Sequence, residues 1–298
     1  MKSIKFYFVF CLTFNLGATI VAQTISSELY QYNYSILNPA FTSIDDQNVS
    51  FLLRTATYNY SSGLVHQTDA LLSFTTKLDK INSGFGFMGS SSGRGASITN
   101  LNINYSYNIK ISNNSNLILG TRISNNRSNI DLDLYGPIDP NDPVLDPDKD
   151  RLFISNISAS FGVIFKIKNF IGAISADGIL GKDKFDYPAK ATPDIVNIIL
   201  SYPFKLSDWG KLTQSIFSPL VGYEINRIDL NSVLLINRKL LTGLTLEISD
   251  GQFIPKINFG YRLKDSFEIT TMIYSRRRDF ISNEKFTGSL SARFFFKD

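Results

Sequence analysis

The stretch K-F-T-G-S-L-S-A-R-F-F-F-K-D, residues 285–298, alternates between apolar and mostly polar side chains. One face carries Phe286, Gly288, Leu290, Ala292, Phe294 and Phe296, and the other carries Thr287, Ser289, Ser291, Arg293 and Phe295. This period of two indicates a half-buried β-strand. An aromatic-rich final strand suits the closing strand of an outer-membrane barrel, in which the first and last strands pair because lipid leaves no partner for an open edge. The edge strand of a soluble sandwich is the alternative.

The same alternation recurs along the chain, most clearly at Leu101–Ile109, where apolar residues alternate with asparagine and serine. These small and amide side chains suit a wet lumen better than a dry core, although in a soluble sandwich they would face solvent. We predict fourteen or fifteen strands of about 9 to 12 residues, a length that crosses a bilayer when tilted. They are residues 49–58, 68–78, 84–89, 101–109, 117–123, 153–165, 170–177, 195–204, 214–224, 228–237, 241–248, 253–261, 267–274 and the final stretch.

Two segments interrupt this rhythm and are predicted to be loops. Ser90–Gly95 is rich in serine and glycine and predicts a flexible loop. Gly136–Asp150 contains four prolines and five aspartates and predicts a long exposed loop. The alternating aspartates Asp146, Asp148 and Asp150 resemble the start of a calcium loop, but its glycine and distant glutamate are missing, so we expect no metal site there.

The N-terminus has the features of a secretory signal peptide. Lys2 and Lys5 precede a short apolar core, and a small residue stands before the polar Gln23. We predict a signal peptide over residues 1–22, with cleavage after Ala22 and an alternative after Ala18. Removing both lysines leaves 28 basic and 26 acidic residues, which argues against a nucleic-acid partner.

No later apolar run approaches the roughly 20 residues of a membrane helix, so a membrane protein made of this chain must be a barrel. Composition alone does not separate such a barrel from a soluble β-protein, but the number and length of the strands favour the barrel. The predicted fold class is an all-β, transmembrane, antiparallel outer-membrane β-barrel of about 14 strands over residues 49–298. Residues 23–48 form a periplasmic N-terminal lead-in. Within it, Pro39 favours an extended conformation for Asn38.

Residues that carry chemistry are scarce. The chain's one cysteine, Cys11, lies inside the predicted signal peptide, so the mature chain has no thiol chemistry. The one histidine, His66, is placed in a loop-to-strand turn with no nucleophile motif nearby. We expect no catalytic residue, no metal site and no cofactor. The basic run Arg276–Arg278 predicts a solvated hairpin loop, with contact to anionic lipid or an acidic partner as the alternative.

Short motifs along the mature chain resemble the PorP/SprF family of outer-membrane proteins of the type IX secretion system and gliding motility. They are Gln31-Tyr32, Leu37-Asn38-Pro39-Ala40, residues 161–175, residues 228–243 and the closing strand with Phe294 and Phe296. The chain departs from the family where Thr42-Ser43 follows Phe41 and where Ser282-Asn283-Glu284 precedes the last strand.

The resemblance implies a non-enzymatic barrel that supports export or surface anchoring of a cargo protein, often a large adhesin, through the cargo's C-terminal signal domain. Its implied partners are that cargo, other type IX secretion components and outer-membrane lipid. Gln31, Tyr32, Asn38, Pro39 and Ala40 are the candidate partner contacts. A general porin and an outer-membrane enzyme dependent on His66 remain as alternatives. A soluble β-sandwich is a more distant alternative.

Overall fold

The computed structural model describes the strands, the short turns and an N-terminal segment of the chain. The described residues are 30–44, 47–60, 63–94, 96–131, 151–181, 195–221, 224–225, 227–249, 251–263, 266–275 and 283–296. The predicted signal peptide, the loop Gly136–Asp150 and the run Arg276–Arg278 lie outside these residues. No helix among the described residues has the length and apolarity of a membrane span.

Fifteen strand segments follow one another along the described part of the chain. They are β1 (Asn48–Tyr60), β2 (Gly63–Leu78), β3 (Ser83–Arg94), β4 (Ala96–Ser112), β5 (Ser115–Asp131), β6 (Arg151–Ile167), β7 (Phe170–Gly181), β8 (Ile195–Lys205), β9 (Gly210–Val221), β10 (Glu224–Ile225), β11 (Arg227–Ile236), β12 (Leu240–Ser249), β13 (Gln252–Leu263), β14 (Phe267–Tyr274) and β15 (Asn283–Phe295).

The sheet closes into a barrel. Consecutive strands pair antiparallel, and β15 returns to β1 in a register that places Val49 opposite Phe294. The two-residue β10 and the following β11 both pair with β9 and form one interrupted strand. The result is a closed antiparallel barrel of 14 strands, which confirms the predicted fold class.

The two faces of the wall are inverted relative to a soluble protein. On β4, Asn102, Asn104 and Ser106 are buried inside the barrel, whereas Leu101 and Ile103 are about half exposed on the outside. The closing strand follows the same rule, with buried Ser289 and Ser291 but exposed Leu290, Phe294 and Phe296. A polar interior with an apolar exterior is the pattern of a barrel that faces lipid.

The two ends of the barrel differ. At one end, tight turns such as Ser112–Ser115 and Ile167–Phe170 join the strands, and β1 begins and β15 ends there. At the other end, the connections include residues 132–150 and 182–194. We call these the turn end and the loop end.

Two local predictions are wrong. Ser90–Arg94 continues β3 and pairs with β2 and β4, because ladder hydrogen bonds from two neighbours override the low strand propensity of serine and glycine. His66 lies inside β2 opposite Thr57, not in a turn. The long strands β4, β5 and β6 have 17 residues each, more than the predicted 9 to 12, and β4 and β5 gain most of their additional residues at the loop end.

Candidate functional site: the occupied lumen

Residues 30–44, which we call the lumen segment, lie inside the barrel. They form three 3-10 turns, Tyr30–Tyr32, Tyr34–Ile36 and Pro39–Ser43, and most of their side chains are buried by the wall. Asn38 is extended, with φ −141° and ψ 116°, as the following proline predicts. Its side chain accepts a hydrogen bond from the Ala40 amide at 2.9 Å and so caps the third turn.

One half of the wall presents a row of small residues to the lumen segment. Neighbouring strands place these residues directly opposite one another, so that the row crosses the barrel wall at one level. This small-residue row consists of Gly84, Ser106, Gly120, Gly162, Ser175 and Asn197, from β3 to β8.

Three glycines of the row let the lumen segment approach the wall backbone. A Cβ added at Gly84 would overlap the backbone of Thr42 and Ser43, and one at Gly120 would lie 2.6 Å from the Pro39 carbonyl carbon. At Gly162 an added Cβ would overlap the Asn38 side chain, whose Cγ would lie 2.8 Å away. Close backbone approach explains why glycine occupies these positions.

The polar members of the row hydrogen-bond the lumen segment. The Ser175 hydroxyl donates to the Leu37 carbonyl at 2.8 Å, and the Asn197 amide donates to the same oxygen at 3.3 Å. The Thr42 and Ser106 hydroxyls share a hydrogen bond of 2.7 Å. These contacts satisfy backbone and side-chain groups that would otherwise be buried without partners.

Wall residues outside the row also hydrogen-bond the lumen segment. The Asn33 amide donates to Ser50 on β1 and Ser73 on β2, each at 2.8 Å. Arg122 on β5 donates to the Ser35 carbonyl at 2.6 Å, and Arg293 on β15 donates to the Tyr32 carbonyl. Strands around most of the barrel therefore hold the segment across the lumen.

Apolar contacts fill the space that remains around the segment. Tyr32 and Ile36 pack in one buried cluster with Leu52, Leu71, Met88, Leu241, Ile254, Met272 and Tyr274. Tyr30, Leu37, Ala40 and Phe41 pack in a second with Ile118, Ile164, Ala173, Ile199 and Phe217. The lumen segment and the surrounding wall residues therefore form a packed hydrophobic core inside the barrel.

The two tyrosines that begin the lumen segment are buried as neutral phenols. Burial raises the pKa of Tyr30 well above its usual value, and nearby Asp229 raises it further. Burial likewise raises the pKa of Tyr32, with a further increase from Glu268. The Asn231 amide donates to the Tyr30 hydroxyl, and the ring of Tyr30 lies 4.5 Å from that of Phe217.

The other half of the wall carries buried ion pairs, which we call the charged wall: Arg54, Asp69, Arg227, Asp229, Glu247 and Lys256. Arg54 pairs with Asp69 at 2.9 Å, and Lys256 pairs with Glu247 at 2.6 Å. Arg227 lies between Asp229 and Glu247. Three cations therefore balance three anions, which is the condition under which buried charge is tolerated.

The structure places the predicted site residues in two places. Tyr32, Asn38, Pro39 and Ala40 lie in the lumen segment against the wall, and the buried Gln31 amide has no hydrogen-bond partner among the described residues. Phe294 and Phe296 lie on the lipid-facing side. The sequence reasoning missed the small-residue row and the charged wall, although glycines in opposing strands were a signal for the row.

Within the described ranges, no three His, Cys, Asp or Glu side chains are grouped as metal ligands require. The aspartates Asp146, Asp148 and Asp150 lie outside those ranges, so the expectation that they bind no metal stays a prediction. His66, on which the enzyme alternative depends, lies within strand β2.

A closed barrel with an apolar outer band and a polar interior defines an outer-membrane β-barrel protein. The type IX secretion system membrane protein PorP/SprF family matches residues 20–292. The chain belongs to this family, as its motifs predict.

Similar barrels occur among solved structures of low sequence identity. The Pseudomonas putida toluene transporter TodX is 11% identical with a TM-score of 0.54, covering 89% of this chain and 94% of its own. The CymD monoaromatic hydrocarbon channel is 10% identical with a TM-score of 0.54, covering 93% of this chain and 95% of its own. At this identity the likeness concerns the fold. No curated protein matches the chain.

Proposed function

We infer that this protein is a non-enzymatic accessory of the type IX secretion system that supports export or surface anchoring of a cargo protein through the cargo's C-terminal signal domain. Family membership supports the secretion role. The observation that carries the finer proposal is the lumen segment, which fills the barrel interior with the chain's own residues 30–44.

An occupied lumen favours a docking role over a general porin. A porin needs a continuous aqueous path, whereas here Tyr30, Ala40 and Phe41 are at most 1% exposed at the centre of the barrel. The packed segment makes the barrel a rigid frame that presents its loops. We therefore assign cargo contact to the loops and give the lumen segment the role of closing and stiffening the frame.

The orientation of the barrel follows from its two ends. Outer-membrane barrels have short periplasmic turns and longer extracellular loops. This rule puts the turn end in the periplasm and residues 132–150 and 182–194 at the cell surface. The acidic stretch Gly136–Asp150 then becomes the first candidate for cargo contact, and the lumen segment, which precedes β1 at the turn end, is reached from the periplasmic side.

The experiment has two steps. Affinity purification of the tagged protein from detergent-solubilised outer membranes identifies the cargo, expected to be a large secreted protein with a C-terminal signal domain. A fluorescent reporter carrying that signal domain is then followed at the cell surface with and without this protein. We expect surface retention to fall without the protein and to recover on re-expression.

A matched pair of variants locates the contact. Replacing residues 136–150 by a Gly/Ser linker should lower reporter retention, whereas the same replacement of residues 182–194 is the control for loss of a long loop. Equal retention in cells with and without the protein contradicts the anchoring role. Loss of retention from the control alone would move the contact to residues 182–194.

A further inference from the structure

A basic recess lies at the turn end of the barrel, on the side of β8 to β13. It has a volume of about 550 Å³, and its charged lining residues are Lys205, Asp208, Lys211, Arg238 and Arg262. Four cations and one anion line it, and because Arg262 is also paired with Glu268 at 2.7 Å, the excess positive charge comes from Lys205, Lys211 and Arg238. Such an excess of one sign attracts a ligand or partner of opposite charge.

The cations line the mouth of the lumen and do not face lipid. Lys205 and Lys211 continue the inward-facing rows of β8 and β9, which contain buried Ser201 and Ser215. Arg262 continues the inward row of β13, which contains Asn258. A partner that reaches these groups must enter from the aqueous side of the turn end.

Two features of the recess leave positive charge without local compensation. Lys205 and Lys211 are directly opposite each other across β8 and β9, a like-charge pair that destabilises a sheet unless something neutralises it. Lys205 pairs with Asp208 at 2.7 Å, but Asp208 is 99% exposed. Lys211 and Arg238 have no ion pair among the described residues, and both are exposed.

The recess is held in shape by its own backbone. The Asn237 amide donates to the Trp209 carbonyl at 2.6 Å, and the Arg262 amide donates to the Lys239 carbonyl at 2.7 Å. Arg238 itself is in the left-handed region with φ 57°, a conformation that glycine adopts more easily. Neighbouring turns are thus tied together, which fixes the backbone positions from which the cationic side chains extend.

The chain's single tryptophan, Trp209, adds an apolar surface to the recess and is half exposed, and Leu235 also lines it. Cations around an exposed aromatic ring suit an acidic peptide that carries an apolar or aromatic side chain. We propose that this recess is the docking site for an acidic segment of a periplasmic protein. The site lies at the end of the barrel opposite the loops assigned to cargo. Its test is therefore independent of the test of the anchoring role.

Trp209 reports binding directly because it is the only tryptophan. The full mature chain in nanodiscs of neutral lipid is titrated with a 12-residue Asp/Glu peptide containing one phenylalanine, and tryptophan emission is followed. We expect a saturable change in emission with the acidic peptide and none with an Asn/Gln peptide of the same length. Affinity should fall about tenfold or more between 50 and 500 mM salt, because screening weakens exposed charge pairs.

Matched variants assign the site. Lys211→Gln with Arg238→Gln should lower the affinity about tenfold, because two charge contacts are removed together. Lys80→Gln, an exposed lysine on a turn outside the recess, should leave it unchanged.

Three results overturn the proposal. They are an equal signal from the neutral peptide, an affinity unaffected by the double variant, and equal binding of inorganic phosphate or phosphatidylglycerol vesicles. The last result would identify a general anion or lipid site instead of a protein-docking site.

Discussion

The two halves of the lumen wall differ in the residues that face the barrel interior. The small-residue row removes side chains so that a peptide segment can pack against the strand backbone. The charged wall fills its side of the interior with its own long side chains, which neutralise one another. The comparison teaches that one half of the wall makes room for the lumen segment, whereas the other half is stabilised by ion pairs among its own side chains. Substitutions in the two halves should therefore have separable effects.

Lys256→Met should have the largest effect and should act on the barrel itself. Glu247 is fully buried, and removing the Lys256 ammonium takes away its ion pair at 2.6 Å. Breaking a buried ion pair costs about 3–5 kcal/mol. We expect the urea midpoint of barrel unfolding to fall while the lumen stays closed.

The control is Lys77→Met, which removes an exposed pair with Asp79 at the turn end. An exposed pair contributes less than about 1 kcal/mol. Equal midpoints for the two variants would mean that the charged wall does not stabilise the barrel.

High pH should release the lumen segment through its tyrosines. Because burial raises the pKa of Tyr30 and Tyr32, the docked state holds protons that the undocked state loses above about pH 10. The lumen segment is therefore bound with its full docking free energy below pH 10. Above pH 10 that free energy decreases by about 1.4 kcal/mol per pH unit for each tyrosine. Channel current in planar bilayers should increase as the pH rises above about 10.

Tyr30→Phe with Tyr32→Phe tests the assignment, because phenylalanine keeps the ring and removes the titrating hydroxyl. The variant should stay closed through the same pH range. An alkaline opening that is unchanged in this variant would assign the titration to other groups.

Gly120→Ala tests the small-residue row. The added Cβ would overlap the backbone of Ala40, so the segment must shift or undock. Overpacking typically costs about 1–3 kcal/mol, which raises the undocked fraction roughly 5- to 150-fold. We expect intermittent current and faster proteolysis within residues 30–44, with the urea midpoint of the barrel little changed.

Gly89→Ala is the matched control substitution. Its added Cβ would meet the Leu101 side chain at 3.5 Å, an ordinary contact on the outer face. A current from Gly89→Ala as large as that from Gly120→Ala would show that the effect is not specific to the row.

Asn38→Ala should have the smallest effect. The substitution removes the cap on the Ala40 amide and the hydrogen bond from the Asn38 amide to the Ile174 carbonyl at 3.0 Å. Loss of an N-cap costs about 1 kcal/mol. Protease susceptibility of residues 30–44 should rise several-fold, while the exposed Asn114→Ala leaves it unchanged.

The sequence predicts the strands of the barrel wall better than it predicts the packing of the barrel interior. Alternation at Leu101–Ile109 identifies both faces of β4, because the side-chain period of a strand is fixed by geometry. The same reasoning misplaced Ser90–Arg94, where neighbouring strands set the conformation of residues with low strand propensity. Strand propensity is a local property, whereas strand pairing is not.

The interior could not be predicted in the same way. Gly84, Gly120 and Gly162 look like ordinary strand glycines until pairing aligns them and the lumen segment lies over them. The ion pairs of the charged wall join residues as distant in sequence as Arg227 and Glu247, so register alone brings them together. Pro39 did predict the extended Asn38, because that effect acts between adjacent residues.

The most direct test of the closed lumen compares single-channel currents of the wild-type chain and of Gly120→Ala with Gly162→Ala in planar bilayers at neutral pH. The structure predicts no steady current from the wild type, since residues 30–44 fill the barrel, and a measurable open state in the double variant. A steady wild-type current of the same size as that of the double variant would contradict the closed lumen and favour a porin.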